Sequence, residues 1–431
     1  MATSAIPYNP IPSPTPVGPL VDTIKEIDTP SLVVNLDAVK RNLTKLRSWS
    51  TSTSVRIRPH YKTHKCPDLA ELTLRKFPTK TCPFPGGGAD GICVQTLDEL
   101  SSLTSAITSG WGTTWTSSNH GIVDVLLTNS VVGVRKISRF RSIIEACKGK
   151  ANVSLLCDDI DNLRNLNELL PHSSFGVFVE VNVGQNRGGI TPTPSNLPNI
   201  LELVKEAGSS YRGLHCYHGL LQHVNNSSDR VSQVMSTSVK SAREVKAYLT
   251  SNGVDPGVIT GGGTGTYFIE GSANVHTEVQ PGSFLLGDTE YGDVEMSKGA
   301  PEFEHACWIN TGVCSVASTS SCVVVDAGSK AVDLVAGKPS VTDKGDRMGF
   351  TGKRDEEVRY SSGGDDHGVL TFEGGRDRPG MGESVRMVPR HIDPNVNLFD
   401  WIVVVEEGEK GEMEDGSIKG TWRITGRGVG C

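Results

Sequence analysis

The stretch Arg58-Pro59-His60-Tyr61-Lys62-Thr63-His64-Lys65 joins two elements of different periodicity. Before it, Val55-Arg56-Ile57-Arg58 alternates apolar and basic side chains, which is typical of a strand. After it, the apolar spacing of residues 68–75 predicts a helix. Two lysines and two histidines therefore lie where a strand ends and a helix begins, which is where α/β barrels carry their functional residues.

The same order of strand and helix repeats between residues 30 and 290. The predicted strands lie at 31–36, 55–58, 91–95, 124–129, 153–157, 176–183 and 258–260, a strand and turn lie at 211–219, and residues 279–286 close the series. Their continuous apolar character favours a parallel sheet that is covered on both faces. We predict an α/β fold with an N-terminal (β/α)8 TIM-type barrel, with a doubly wound sheet as the alternative.

The pattern changes from about Cys307. Short β-rich runs are separated there by glycines and charged turns, which predicts a C-terminal antiparallel β domain. The expected division is an N-terminal arm at 1–29 that joins the β domain, a barrel at 30–290 and the β domain at 291–431.

Composition excludes some classes of function. The 431 residues carry a formal charge of −7, which argues against a nucleic-acid partner, and no run of 18 apolar residues predicts a membrane span. The ten cysteines include no C-x-x-C pair, so we expect reduced thiols and a cytoplasmic location. The first 20 residues contain no lysine or arginine and favour an extended arm over a targeting segment.

Strand alternation favours Lys62 over Lys65 as a reactive lysine. If Ile57 faces the surrounding helices, the alternate positions that end at Lys62 face the barrel interior. Lys65 lies past the turn and out of this register. Burial and neighbouring cations would lower the pKa of an interior lysine, which suits Schiff-base chemistry. The alternative is an ordinary loop lysine at the surface.

Three further strand ends carry polar or glycine-rich sequence. Residues 261–266, Gly-Gly-Gly-Thr-Gly-Thr, could cradle a phosphate with backbone amides and two hydroxyls, or could form a tight turn. Arg187 stands among glycines and can point into a site. Residues 217–223 include Tyr217, His218, Gln222 and His223, and a buried histidine with satisfied hydrogen bonds is the alternative there.

His391 and Asp393 form a candidate metal pair. At i and i+2 of an extended segment their side chains face the same side, and imidazole with carboxylate can bind Mn²⁺, Mg²⁺ or Zn²⁺. A hydrogen-bonded pair at the surface is the alternative.

Taken in order, these stretches resemble the D-threonine aldolase and D-serine dehydratase-like family, which comprises pyridoxal phosphate enzymes of the alanine-racemase fold. The resemblance runs from about Thr29 to Trp401. The motifs that carry it are residues 58–65, 91–95, 213–223, 261–266, 325–328 and 389–398.

The resemblance implies a role for each candidate residue. It implies that Lys62 carries pyridoxal 5'-phosphate and that a divalent metal is bound by His391 and Asp393. It also implies a homodimer whose sites lie near the interface. The implied contacts to the cofactor are His60, Gln95, Arg187, Tyr217, His218, Gly263, Thr264, Gly265 and Thr266. His223 is our candidate for the catalytic base, with a metal-bound water as the alternative.

Asp393 favours one branch of this family. The dehydratase branch carries His-x-Cys, a softer zinc site, whereas His-x-Asp-Pro is similar to the aldolase branch, where Mn²⁺ or Mg²⁺ suits oxygen ligands and Zn²⁺ is a further possibility. Arg390 and Ile392 depart from the family pattern without removing a ligand. The implied reaction is retro-aldol cleavage of D-threonine and other D-β-hydroxy-α-amino acids to glycine and an aldehyde. A D-serine dehydratase-type elimination and a non-catalytic pyridoxal phosphate carrier are the alternatives.

Overall fold

The structure is a computed structural model with two sheets. It describes residues 27–78, 84–109, 111, 121–170, 174–316, 321–342, 358–373, 377–408 and 416–428. The predicted fold class is confirmed: one sheet forms a parallel barrel and the other forms a mainly antiparallel domain.

The barrel sheet contains eight parallel strands in the order β2-β9-β8-β7-β6-β5-β4-β3. An isolated parallel bridge between His60 and Cys93 joins the two ends of the sheet, so the barrel closes at residues 58–65. The strands are β2 Arg56–Ile57, β3 Ile92–Val94, β4 Val123–Leu127, β5 Ala151–Cys157, β6 Gly176–Glu180, β7 Tyr211–His215, β8 Val258–Gly261 and β9 Glu278–Val279.

Alternation along the barrel strands separates two sets of apolar side chains. One set packs towards the helices in the large core, as Val125 and Leu127 of β4 do, while Leu126 between them belongs to a separate small cluster. That cluster also contains Cys93, Leu156 and Phe178, one from each neighbouring strand. The period of two in the sequence therefore fills both the barrel interior and the layer outside it.

Helices cover the barrel and flank the second sheet. No helix among the described residues is long and apolar enough to cross a membrane. The α-helices are α1 Leu36–Thr53, α2 Pro67–Leu74, α3 Leu97–Ser109, α4 Val134–Ala146, α5 Ile160–Leu169, α6 Leu197–Ala207, α7 Ser227–Val234, α8 Lys240–Ser251, α9 Tyr267–Ser272, α10 Thr289–Gly292 and α11 Ile392–Val396. A π-helical turn, Met235–Val239, joins α7 to α8, and shorter 3₁₀ turns are Tyr61–Thr63, Gly208–Ser210 and Gly219–His223.

The second sheet has nine strands, and eight of them come from the C-terminal part of the chain. Its central path is β13-β14-β11-β10-β1-β16-β17, with β15 beside β10 and β12 beside β15. The strands are β1 Ser31–Asn35, β10 Cys307–Val316, β11 Cys322–Val325, β12 Ser340–Thr342, β13 Val358–Ser362, β14 Gly368–Phe372, β15 Ser384–Val388, β16 Trp401–Glu406 and β17 Ser417–Arg423.

The predicted strand at 31–36 does not belong to the barrel, so that part of our expectation was wrong. It forms β1, which pairs antiparallel with β10 and parallel with β16 in the second sheet. All five of its residues are buried. The barrel obtains its eighth strand from β9, which is only two residues long.

The described end of the expected N-terminal arm contacts the second sheet. Ile27 packs in a small apolar cluster with Val33 and Trp308, and Thr29 Oγ1 donates to Asp326 Oδ2 at 2.5 Å. Residues 1–26 of that arm lie outside the described residues. The domain limits themselves remain a prediction.

Buried charges stabilise the floor of the barrel. Arg58 Nε lies 2.6 Å from Glu278 Oε1, and Arg58 Nη2 lies 2.8 Å from Asp124 Oδ2. The side chains of Arg58 and Glu278 are 1% and 0% exposed. Arg58 therefore has a structural role in the barrel, although it belongs to the same motif as Lys62.

We predict that Arg58→Met destabilises the protein by about 3 kcal/mol, because buried Glu278 loses its closer cation and keeps only the part-exposed Arg56, whose Nε lies 3.2 Å from Glu278 Oε2. The free energy of unfolding measured with urea would test this. Arg164→Met removes an exposed ion pair with Asp161 and should cost less than about 1 kcal/mol. Equal losses in the two variants would contradict the prediction.

Candidate active site

The polar residues singled out in the sequence meet at the carboxyl ends of the barrel strands. Lys62 follows β2, Gln95 follows β3, Arg187 follows β6, Tyr217 follows β7 and Thr264 follows β8. Because the strands are parallel, their carboxyl ends share one face of the barrel. The second sheet adds His391 and Asp393 to the same region through the start of α11.

Lys62 lies in a turn, so the strand register that selected it does not extend that far. Strand β2 ends at Ile57, and residues 61–63 form a 3₁₀ turn. The His60 side chain caps this turn by accepting from the Lys62 amide at 3.3 Å. The Lys62 ammonium then lies 3.1 Å from Asp393 Oδ2.

The charge environment of Lys62 differs from our expectation. We expected burial and neighbouring cations to lower its pKa. Instead, the Asp393 carboxylate raises the pKa of Lys62 well above its ordinary value, and the opposing effect of burial is smaller. For Asp393, burial is offset by Lys62 first and then by His391 and Lys65, which lower the pKa of its carboxyl. The two side chains therefore form a charged pair in this structure.

Lys65 is not directed away from the site. It is 7% exposed, and its ammonium donates to the carbonyl of Lys62 at 2.6 Å and to that of Asp393 at 3.0 Å. Both lysines therefore contact Asp393: Lys62 pairs with the Asp393 carboxylate, and Lys65 donates to the Asp393 backbone carbonyl.

Thr128 connects two of the predicted cofactor residues. Its hydroxyl lies 3.0 Å from His60 Nε2 and donates to Gln95 Oε1 at 3.1 Å. The Gln95 amide group returns a hydrogen bond to the Thr128 carbonyl at 2.9 Å. The sequence analysis missed Thr128, whose only signal was its place at the carboxyl end of β4.

A second group of predicted cofactor residues follows strands β6 and β7: Arg187, Tyr217 and His218. The Arg187 guanidinium carbon lies 5.9 Å from the centre of the Tyr217 ring. His218 is buried, and its Nδ1 has no hydrogen-bond partner among the described residues. Burial raises the pKa of Tyr217, so its phenol is protonated at neutral pH.

The glycine-rich loop after β8 has donors that remain available. The amides of Gly263 and Thr264 donate to no group in the described part of the chain. The Thr264 hydroxyl accepts from the Phe284 amide at 3.1 Å, so its own proton is still free to donate. By contrast, Gly265 donates its amide to Gln222 Oε1 at 3.0 Å.

Thr266 is fully engaged within the protein. Its hydroxyl donates to Glu270 Oε2 at 2.6 Å and accepts from Gln222 Nε2 at 2.9 Å, and its amide donates to the Gly263 carbonyl at 3.0 Å. Gln222 and Glu270 are 2% and 1% exposed. These two residues therefore fix the shape of the loop, while Gly263 and Thr264 keep donors that bond to no other described residue.

His391 and Asp393 do not lie on an extended segment as we expected. His391 is the last residue before α11, and Asp393 lies in the first turn of that helix. His391 Nδ1 is 3.2 Å from Glu290 Oε2 and 3.5 Å from Asp288 Oδ2. Burial lowers the pKa of His391, but contacts with these two carboxylates outweigh burial and raise it to about 10.

His223 lies beside this acidic pair. Its Nδ1 is 3.8 Å from Glu290 Oε1, and its ring centre is 6.3 Å from that of His391. Burial lowers the pKa of His223, so its imidazole is neutral near pH 7 and able to accept a proton. The sequence analysis missed Asp288 and Glu290, although an acidic pair just after the last barrel strand was a usable signal.

The metal prediction has partial support from the donor atoms. Within the described ranges, no group of three or more His, Cys, Asp or Glu residues is arranged to hold a metal ion. Asp393 Oδ1, however, is buried and receives no hydrogen bond from any described residue. An orphaned carboxylate oxygen near an imidazole fits a cation that takes its remaining ligands from water and substrate.

Two family descriptions match the chain. Residues 34–290 match the N-terminal domain of alanine racemase. Residues 306–405 match a putative serine dehydratase domain.

Individual proteins match over almost the whole chain. D-threonine aldolase from Arthrobacter sp. is 31% identical over 413 residues, which cover 94% of each chain. 3-Hydroxy-D-aspartate aldolase from Paracoccus denitrificans (strain Pd 1222) is 29% identical over 94% of this chain and 93% of its own. The crystal structure of D-threonine aldolase from Filomicrobium marinum is 29% identical and has a TM-score of 0.79, with 96% of this chain and 99% of that chain covered.

These matches agree with the closed barrel, the second sheet and the cluster at the strand ends. The alanine racemase match spans more than half of the chain, and the aldolase match spans nearly all of it. The chain therefore belongs to the D-threonine aldolase family of alanine racemase-like enzymes, and it is a lyase.

Proposed function

We propose that this enzyme uses pyridoxal 5'-phosphate and a divalent metal to cleave D-threonine and other D-β-hydroxy-α-amino acids into glycine and an aldehyde. The observation that carries the proposal is the 3.1 Å contact between Lys62 Nζ and Asp393 Oδ2. It brings a lysine able to hold a carbonyl cofactor next to a carboxylate able to hold a metal. Neither the barrel nor the second sheet supplies both groups alone.

Residues around Lys62 fit the cofactor. Gly263 and Thr264 offer two backbone amides and one hydroxyl to its phosphate, a donor set suited to an anion. Arg187 and Tyr217 would flank the ring, with His60, Gln95 and His218 around it. When bound, pyridoxal phosphate supplies an electron sink for the bond broken at Cα.

His391 and Asp393 would hold the metal. One carboxylate with one imidazole leaves several positions for oxygen ligands, which suits Mn²⁺ or Mg²⁺ better than a closed structural zinc site. Asp288 and Glu290 would orient the His391 ring through its Nδ1, since a carboxylate next to the second ring nitrogen fixes a ligand histidine.

His223 would act as the general base. Retro-aldol cleavage removes the proton of the β-hydroxyl while the Cα–Cβ bond breaks, and the β-carbon leaves as the aldehyde. A neutral imidazole at this position can take that proton, and Glu290 at 3.8 Å would stabilise the cation that forms. A proton returned to Cα then completes glycine.

The dehydratase reading is the second candidate, because residues 306–405 match a putative serine dehydratase domain. That reaction would expel the β-hydroxyl and give a 2-oxo acid and ammonia. Asp393 in place of a softer sulfur ligand favours the aldolase reaction. A carrier without catalysis would have no use for His391 and Asp393.

We also propose that the enzyme acts as a homodimer on its small-molecule substrate. An apolar groove on the second sheet supports this interface. Its apolar lining is Val332, Leu334, Val335 and Leu398, with Ser329 and Asp333 as the polar residues, and Val335 is 95% exposed. An exposed patch of apolar side chains is typical of a surface that another chain covers.

Product analysis tests the proposed reaction. With D-threonine we expect glycine and acetaldehyde in equal amounts, and with L-threonine no more than a trace. Formation of 2-oxobutanoate and ammonia would instead support the dehydratase reaction. Turnover of neither enantiomer by the cofactor-loaded protein would contradict both.

Metal removal tests the role of Asp393. Treatment with a chelator should abolish D-threonine cleavage, and Mn²⁺ or Mg²⁺ should restore it. Asp393→Asn should lower activity by at least about 100-fold at saturating metal, because it removes the anionic ligand. Asp365→Asn, at an exposed aspartate of the second sheet, is the matched control. Full activity in chelator or in Asp393→Asn would exclude the metal pair.

A further inference from the structure

Lys65 links the two parts of the active site. Its ammonium donates to the Lys62 carbonyl at 2.6 Å and to the Asp393 carbonyl at 3.0 Å, across 328 positions of the chain in the second case. One acceptor belongs to the turn that carries the cofactor lysine. The other belongs to the helix turn that carries the candidate metal ligand.

The backbone of Lys65 adopts a costly conformation to make these contacts. Its φ of 50° is left-handed, which is uncommon and unfavourable for a residue with a side chain. The Lys65 amide donates to the Tyr61 carbonyl at 2.7 Å, and its carbonyl accepts from the Gly426 amide at 3.0 Å. Hydrogen bonds at both ends therefore hold the residue in this geometry.

Gly426 allows the second sheet to approach this turn closely. A Cβ at position 426 would lie 2.7 Å from Tyr61 Cε1 and 3.2 Å from the Lys65 carbonyl oxygen. On the same side, the Tyr61 hydroxyl lies 2.8 Å from Ser102 Oγ, which lies 2.7 Å from Thr425 Oγ1. The turn is therefore held against the second sheet over several contacts.

A lysine is well suited to the place between the two carbonyls. Its ammonium has three donors on a side chain long enough to reach both acceptors, and two of the donors are used here. An apolar side chain of similar length would leave two partly buried carbonyl groups without this donor, at a cost for each. The same engagement explains why Lys65 would not compete with Lys62 for the cofactor.

We propose that Lys65 is a positioning residue that fixes the separation between Lys62 and Asp393, and thereby the separation between cofactor and metal. This inference rests on the proposed function. Loss of the ammonium would let α11 shift relative to the 61–65 turn. His391 and Asp393 would then meet the metal in a poorer geometry, while Lys62 would still bind the cofactor.

The test measures metal affinity in cofactor-loaded protein. Free Mn²⁺ is followed by electron paramagnetic resonance in wild type, Lys65→Met and the control Lys240→Met, whose side chain is 65% exposed on α8. We expect Lys65→Met to bind Mn²⁺ about 10- to 100-fold more weakly, which is the range for the loss of residues that orient metal ligands. Its visible absorbance from bound cofactor should be retained, and Lys240→Met should match wild type.

A merely structural lysine would give a different result. Mn²⁺ affinity within about twofold of wild type in folded Lys65→Met would overturn the inference, as would parallel loss of cofactor and metal binding. Where Lys65→Met does not fold, Lys65→Gln, whose amide can reach one carbonyl, is judged by the same two outcomes.

Failure of the proposed function would be distinguishable. If wild type binds no Mn²⁺, or Asp393→Asn binds it as wild type does, the metal site itself is wrong. If Asp393→Asn loses Mn²⁺ and Lys65→Met does not, only the role of Lys65 is wrong.

Discussion

The active site depends on an ion pair between two distant parts of the chain, one in the barrel and one beside the second sheet. Lys62 comes from the turn after a barrel strand, and Asp393 comes from the first turn of a short helix in the second sheet. The barrel must close beside this turn, which the bridge from His60 to Cys93 achieves. The second sheet must be fixed against the barrel, and β1 contributes by running directly into α1.

Opposite charges are balanced around this pair. Three carboxylates, those of Asp288, Glu290 and Asp393, lie in this region. Lys62 forms an ion pair with Asp393, and His391 forms ion pairs with Asp288 and Glu290. The carboxylates raise the pKa of His391 to about 10, whereas His223 and His218 have pKa values lowered by burial. The carboxylates therefore favour the cationic form of His391, and binding of the proposed metal would displace that proton, while His223 stays neutral and able to accept one.

Much of the fold followed from the sequence because period-two apolar strands separated by helices have few stable arrangements. The assignment of β1 failed because a strand buried on both faces has the same apolar pattern in a parallel barrel and in a mixed sheet. Lys62 was selected by strand alternation, but strand β2 ends five residues before it, at Ile57. The turn at 61–63, capped by His60, places Lys62 in the site instead.

Contacts between distant residues explain what the sequence did not reveal. Glu270 fixes the loop after β8 through Thr266, and Gln222 does so from the turn after β7. Glu270 carries no local pattern, and Gln222 was named only as one residue of the polar stretch 217–223, because the partners that define their roles are brought near only by folding. Lys65 was set aside because spacing alone cannot show a left-handed residue that turns its side chain back.

The central claim is that Lys62 carries the cofactor. The most direct test is borohydride reduction of the protein loaded with pyridoxal phosphate, followed by peptide mass spectrometry to find the modified lysine. The account predicts one phosphopyridoxyl group on Lys62. A modified Lys65, or no modified lysine, would contradict it.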